Sequence, residues 1–142
     1  MKRLLLAALL VSATVVGASA ESYLCVADYS TGFRWNGNAW EPARFSVERN
    51  KYVVTDATDE ARAAGYTHIV KEIGSNRVLH QCTRKLLPDG KPSLQMPCGG
   101  MGYGFTFNFE TLRFDEIYAY GYVEDDPNGN TPSMTIGRCT KL

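Results

Sequence analysis

Four cysteines, Cys25, Cys82, Cys98 and Cys139, constrain the fold of this chain more than any other feature. In an exported protein an even number of cysteines predicts disulfide bonds, and four cysteines allow three pairings. Cys82 and Cys98 lie symmetrically about Gly90, where a Pro-Asp-Gly turn predicts a hairpin that brings the two cysteines opposite each other. Of the three pairings we therefore prefer Cys82 with Cys98 and Cys25 with Cys139. The competing metal site lacks any Cys-x2-Cys pair.

The amino terminus has the three parts of a secretory signal. Two basic residues precede an apolar run over residues 4–16, and the small residues 18–20 form a cleavage site. We predict cleavage after Ala20, with residues 1–20 as a signal peptide and residues 21–142 as one exported domain, periplasmic or secreted. The apolar run is shorter than the roughly 20 residues of a transmembrane helix, so we expect no stable membrane insertion.

The charge balance disfavours nucleic acid as a partner. The chain has 15 basic and 15 acidic residues, and residues 1–20 contain two of the basic ones and no acidic one, which leaves 13 against 15. The mature chain is therefore near neutral and has no basic stripe of the kind that nucleic-acid binding needs.

The mature chain reads mostly as β-strand. Its β-branched and aromatic segments are separated by clusters of Gly, Pro, Asn and Asp, which predicts about eight strands. They cover residues 23–29, 45–48, 52–55, 66–73, 76–83, 104–109, 112–123 and 133–139. One short helix is predicted between Asp56 and Gly65, with Asp56 or Thr58 as its cap. The expected fold is all-β and mainly antiparallel, either a small barrel or a sandwich, with one helix.

Both tryptophans flank a predicted hairpin tip. Asn36-Gly37, which lies between Trp35 and Trp40, is a strong signal for a two-residue type I′ turn because both positions tolerate positive φ. Large aromatic side chains beside such a tip either pack on the core or form a platform for a ligand. Trp35 and Trp40 are therefore candidate ligand-binding residues.

A second aromatic concentration follows in the predicted strand 112–123. Tyr118, Tyr120 and Tyr122 alternate with aliphatic or small residues, which predicts a tyrosine stripe on one face of the strand. Such a stripe either packs beneath a loop or a second sheet, or exposes an aromatic surface for a sugar or a protein. These three tyrosines complete the set of candidate ligand-binding residues.

The remaining motifs predict neither a cofactor nor a metal site. The glycine-rich segment 98–105 lacks the pattern of a nucleotide loop and predicts a bulge or sharp bend. The acidic segment 124–132 lacks the glycine and the glutamate of a calcium loop and predicts a solvated turn. His68 and His80 have no third zinc ligand at suitable spacing. No serine nucleophile motif occurs, so we predict no catalytic residue.

Two segments carry a resemblance to a family. The opening "YLCVADYSTGF" and the closing "NTPSMTIGRC" resemble those of a group of small exported bacterial proteins. The resemblance implies a shared fold and an exported location, and it supplies no activity, cofactor or catalytic residue. The size, disulfides and β-content are also similar to those of the periplasmic lysozyme-inhibitor families, a likeness of architecture alone.

These observations favour a non-catalytic binding module that uses exposed aromatic residues. Its expected partner is a protein or carbohydrate of the cell envelope. The alternatives are an inhibitor of a hydrolase such as lysozyme or a protease, a small secreted hydrolase, and a structural component of the envelope.

Overall fold

A computed structural model describes residues 21–75, 77–124 and 131–142. The elements in chain order are β1 (Ser22–Trp35), β2 (Trp40–Phe45), β3 (Lys51–Asp56), α1 (Asp59–Ala63), β4 (His68–Glu72), β5 (Val78–Cys82), β6 (Gln95–Gly100), β7 (Tyr103–Asn108), β8 (Arg113–Tyr118), α2 (Tyr120–Val123) and β9 (Ser133–Lys141). The predicted signal peptide and positions 125–130 of the predicted solvated turn lie outside the described residues. No helix among the described residues is long and apolar enough to cross a membrane.

Eight of the strands close into an antiparallel barrel. Their order is β1-β3-β4-β5-β6-β7-β8-β9, and β9 closes the barrel by pairing with β1. Along the edge opposite β9, β1 is long enough to pair with two strands, since its first half pairs with β3 and its second half forms a hairpin with β2. The predicted all-β, mainly antiparallel fold is confirmed, and the architecture is a barrel rather than a sandwich.

Both predicted disulfides are present. Cys25 and Cys139 occupy paired positions across the β1–β9 seam, and Cys82 and Cys98 occupy the paired position of β5 and β6. The predicted opposition of Cys82 and Cys98 is therefore confirmed, although the bridge nearest the turn, Leu86 with Pro92, is centred on Asp89 rather than on Gly90. Two disulfides are typical of proteins that fold in an oxidising compartment, which fits an extracellular or periplasmic protein.

Aromatic side chains fill the barrel. Phe105 and Phe107 are fully buried on β7, and Phe105 stacks on Phe114 of β8 with ring centroids 5.0 Å apart. The seam beside them is tight, because a Cβ at Gly137 would lie 2.2 Å from the carbonyl oxygen of Val26. A glycine is therefore required where β9 crosses β1.

The helix prediction agrees with the structure. Thr58 is the N-cap of α1 and its side chain accepts a hydrogen bond from the amide of Ala61. Gly65 follows the helix with a φ of +91°, the left-handed conformation that glycine adopts readily. Asp56, the other candidate cap, belongs to β3.

Two predicted strands end elsewhere in the structure, and β6 lies outside the predicted strands. Residues 46–50 form a loop, so Phe45 ends β2 rather than starting a strand. The predicted strand 112–123 stops at Tyr118, and the chain turns into α2. β6 is absent from the eight predicted strands, although the predicted hairpin about Gly90 implies a strand at Cys98; it contains a proline and two glycines, yet it pairs along its whole length with β7. The glycine-rich bend predicted there is the β6–β7 hairpin.

Candidate binding site at one end of the barrel

The two tryptophans face each other across the β1–β2 hairpin. Trp35 pairs with Trp40, and their ring centroids are 5.6 Å apart with both side chains half-buried. The tip has four residues rather than the expected two, because the side chain of Asn36 accepts hydrogen bonds from the amides of Asn38 and Ala39. The tryptophans thus form one small aromatic pair beyond the barrel.

The predicted tyrosine stripe is divided between a strand and a helix. Tyr118 ends β8, whereas Tyr120 and Tyr122 belong to α2. Tyr118 and Tyr120 are half-buried with centroids 6.5 Å apart, and Tyr122 is 63% exposed and lies 6.1 Å from Trp40. Both groups of candidate residues therefore meet at α2, at one end of the barrel.

Tyr103 extends this aromatic group and was missed by sequence reasoning. It pairs with Tyr118 across β7 and β8, and its ring lies 5.9 Å from that of Tyr120 and 5.9 Å from that of His80. The signal was its parity, since Tyr103 lies two residues before the buried Phe105 and therefore projects from the same face of β7. The rings of Tyr103 and His80 are stacked at the barrel end.

Polar side chains lie beneath the aromatic group. Glu116 of β8 shares the inward parity of Phe114, which places a carboxylate inside the barrel. The hydroxyl of Tyr52 donates a hydrogen bond of 2.5 Å to Oε2 of Glu116, and Nε2 of His80 lies 3.6 Å from its Oε1. Burial, together with this bond, raises the pKa of Tyr52 far above its ordinary value, so its hydroxyl stays neutral.

Two cavities open beside this polar layer. One of about 240 Å³ lies on the β1–β9 side and is lined by Glu116. The other, of about 350 Å³, is lined by His80, Gly99, Gly100 and Tyr103. The second exists because β5 and β6 pair at a single position, Cys82 with Cys98, and diverge beyond it. Aromatic faces and a few convergent polar groups around cavities are typical of a ligand site.

The two histidines lie on the neighbouring strands β4 and β5, two positions out of register with each other. His68 pairs with Cys82 while His80 pairs with Val70, so the imidazoles do not stand side by side as some registers would have allowed. His80 is 7% exposed, and its Nδ1 has no hydrogen-bond partner among the described residues. Those residues also contain no cluster of three groups suited to a metal ion.

The outer wall of the barrel carries a depression, an ion pair and exposed apolar side chains. A depression of about 510 Å³ crosses β7, β8 and β9, and Arg138 forms a two-point ion pair with Asp28 at its margin. Tyr29, Ile117 and Met134 lie exposed on this wall. None of the five predicted aromatic residues lines this depression.

No protein-family model, curated protein or solved structure matches this chain.

Proposed function

We propose that this chain is a small exported protein, periplasmic or secreted, that binds a carbohydrate of the cell envelope without converting it. The predicted signal peptide, the two disulfides and the resemblance of its opening and closing segments to small exported bacterial proteins support the location. The ligand site is the aromatic end of the barrel, which comprises Trp40, Tyr103, Tyr118, Tyr120 and Tyr122.

The main support for this proposal is a cluster of partly exposed aromatic rings beside the polar side chains of Tyr52, Glu116 and His80. Tyr118, Tyr120 and Tyr103 form a run of neighbouring rings, and Tyr122 joins α2 to Trp40. A sugar has apolar ring faces and many hydroxyl groups, so it suits aromatic side chains that combine an apolar body with a polar tip. The nearby carboxylate supplies a strong hydrogen-bond acceptor.

Fluorescence titration of the oxidised mature protein, residues 21–142, tests the proposal. Peptidoglycan fragments and neutral oligosaccharides are the titrants, and the emission of Trp40 reports changes at the adjacent Tyr122. We expect saturable binding that Tyr122→Ala or Tyr120→Ala weakens by about fivefold, since one aromatic contact contributes about 1 kcal/mol.

Tyr29→Ala is the matched control. Tyr29 of β1 is 73% exposed and lines the depression on the outer wall. Its replacement therefore removes an exposed tyrosine that does not belong to the aromatic end of the barrel. Binding should be unchanged in this variant. Equal weakening by Tyr29→Ala and Tyr122→Ala, or no saturable response to any glycan, would contradict a carbohydrate site at the barrel end.

A second candidate function is inhibition of a hydrolase through the outer wall. The exposed Tyr29, Ile117, Met134 and Ile136 favour it, because interfaces with proteins bury apolar and aromatic side chains. Stoichiometric inhibition of lysozyme or a protease, lost in Tyr29→Ala and retained in Tyr122→Ala, is the result that this function predicts.

A further inference from the structure

Glu116 has spare hydrogen-bonding capacity and little charge compensation. Its side chain is 23% exposed, and a carboxylate offers about four acceptor positions. Tyr52 occupies one of them with a neutral hydroxyl. In the described part of the chain, His80 is the only basic side chain in ion-pair contact with Glu116, and no lysine or arginine is. A partly buried anion without a full counter-charge favours the approach of a cation.

The cavity above Glu116 is walled by neutral groups. Its volume is about 240 Å³, and its other lining residues are Ser30, Phe45, Ser46, Asn50, Thr131, Ser133 and Thr135. Hydroxyl and amide oxygens accept hydrogen bonds, and an aromatic ring attracts a cation to its face. Among the described residues neither lysine nor arginine lines this cavity, so those residues would not repel a cationic ligand.

We propose that this cavity binds the primary ammonium group of an amino sugar, with Glu116 as its charged acceptor. An ammonium group has three donors and no acceptor, which matches walls of carboxylate, hydroxyl and amide oxygens. An anion would be repelled by Glu116, and the single carboxylate matches the charge of one ammonium group but only half that of a divalent metal ion. The inference deepens the proposed carbohydrate binding and rests on it, since Ser133 of this cavity pairs with Tyr118 of the aromatic group.

Comparison of glucosamine with glucose tests the inference, because the two sugars differ by an ammonium group in place of one hydroxyl. The ¹⁵N-labelled mature protein is titrated with each sugar while NMR follows the amides of Ser46, Thr131 and Ser133. We expect these amides to shift with glucosamine, which should bind at least about tenfold more tightly than glucose, the lower end for a hydrogen bond to a charged group.

Three variants identify the cause of the preference. Glu116→Gln removes the charge and keeps a side chain that reaches Tyr52, so it should make the two affinities equal. Asp115→Asn removes the neighbouring carboxylate, which lines the outer depression, and should leave the preference intact. Ser46→Lys, in an exposed loop position, introduces a competing ammonium group and should abolish the preference even if Glu116→Gln fails to fold.

The outcomes separate this inference from the proposed function. Equal affinities in the unmodified protein, no binding of glucosamine, or a preference that survives in Glu116→Gln and Ser46→Lys would overturn the ammonium site. The carbohydrate function stands in each of these cases if neutral oligosaccharides still bind and Tyr122→Ala weakens them. The carbohydrate function is refuted if no glycan binds, or if Tyr122→Ala and Tyr120→Ala leave glycan binding unchanged.

Discussion

The two disulfides close loops of very different length, which allows their contributions to stability to be separated. The cysteines are 114 residues apart in Cys25–Cys139 and 16 apart in Cys82–Cys98, and all four are buried. In the chain-entropy model the contribution grows with the logarithm of the loop, to about 4.8 kcal/mol for the long loop and about 3.1 kcal/mol for the short one. Replacing both cysteines of a bond by alanine removes the same buried atoms in each case. The expected difference between the two double variants is therefore about 1.7 kcal/mol.

Urea unfolding of the two double variants and the unmodified protein measures this difference. Tryptophan fluorescence and far-UV circular dichroism should give coincident transitions, and unchanged m values would show that the denatured states expose similar surface. If the long-loop variant is too unstable in water, a fixed concentration of trimethylamine oxide brings all three proteins into range. A short-loop variant that loses as much stability as the long-loop variant, at equal m values, would refute the reasoning.

Two further predictions concern stability. Trp35→Ala should cost about 2 kcal/mol in urea unfolding, because the half-buried Trp35 loses part of its apolar burial and its ring contact with Trp40. A loss of about 3 kcal/mol or more would assign it to the core. Burial lowers the pKa of His68 below 6.5, although Asp56 opposes the shift. Below pH 6.5 His68 therefore binds more protons in the unfolded chain than in the folded chain. The contribution of neutral His68 to the free energy of unfolding is complete above that pH and is lost as the pH falls through the pKa of the folded protein. Thermal melts at pH 7 and pH 5 should show a larger drop in Tm for the unmodified protein than for His68→Gln, and an equal drop would contradict this assignment.

Local sequence patterns predicted most of the strands and both disulfides. They failed for features that depend on pairing between strands distant in sequence. The turn at Gly90 is a local signal, so the opposition of Cys82 and Cys98 followed from it. β6 contains Pro97 and two glycines, which disfavour a strand by propensity, but its pairing with β7 overrides that preference. The choice between barrel and sandwich depends on whether β9 returns to β1, and no local pattern encodes that contact.

The site residues were partly predictable for the same reason. Alternation placed Tyr118, Tyr120 and Tyr122 on one strand, whereas the chain turns into α2 after Tyr118. Tyr120 therefore contacts Tyr118, and Tyr122 contacts Trp40 instead. The polar residues of the interior were missed because a single Glu116 within an aromatic strand looks like an exposed position. Glu116 lies two residues after the buried Phe114 on the same strand, and this alternation indicates that its side chain faces inward.

The return of β9 to β1 also governs when the protein acquires its shape. Those strands meet across 114 residues of sequence at the Cys25–Cys139 position. Until β9 has left the ribosome, β1 and β8 each present an edge without its final neighbour, while the local hairpins in between can already form. An architecture whose closure waits for distant strands therefore leaves the barrel open until nearly the whole chain is available.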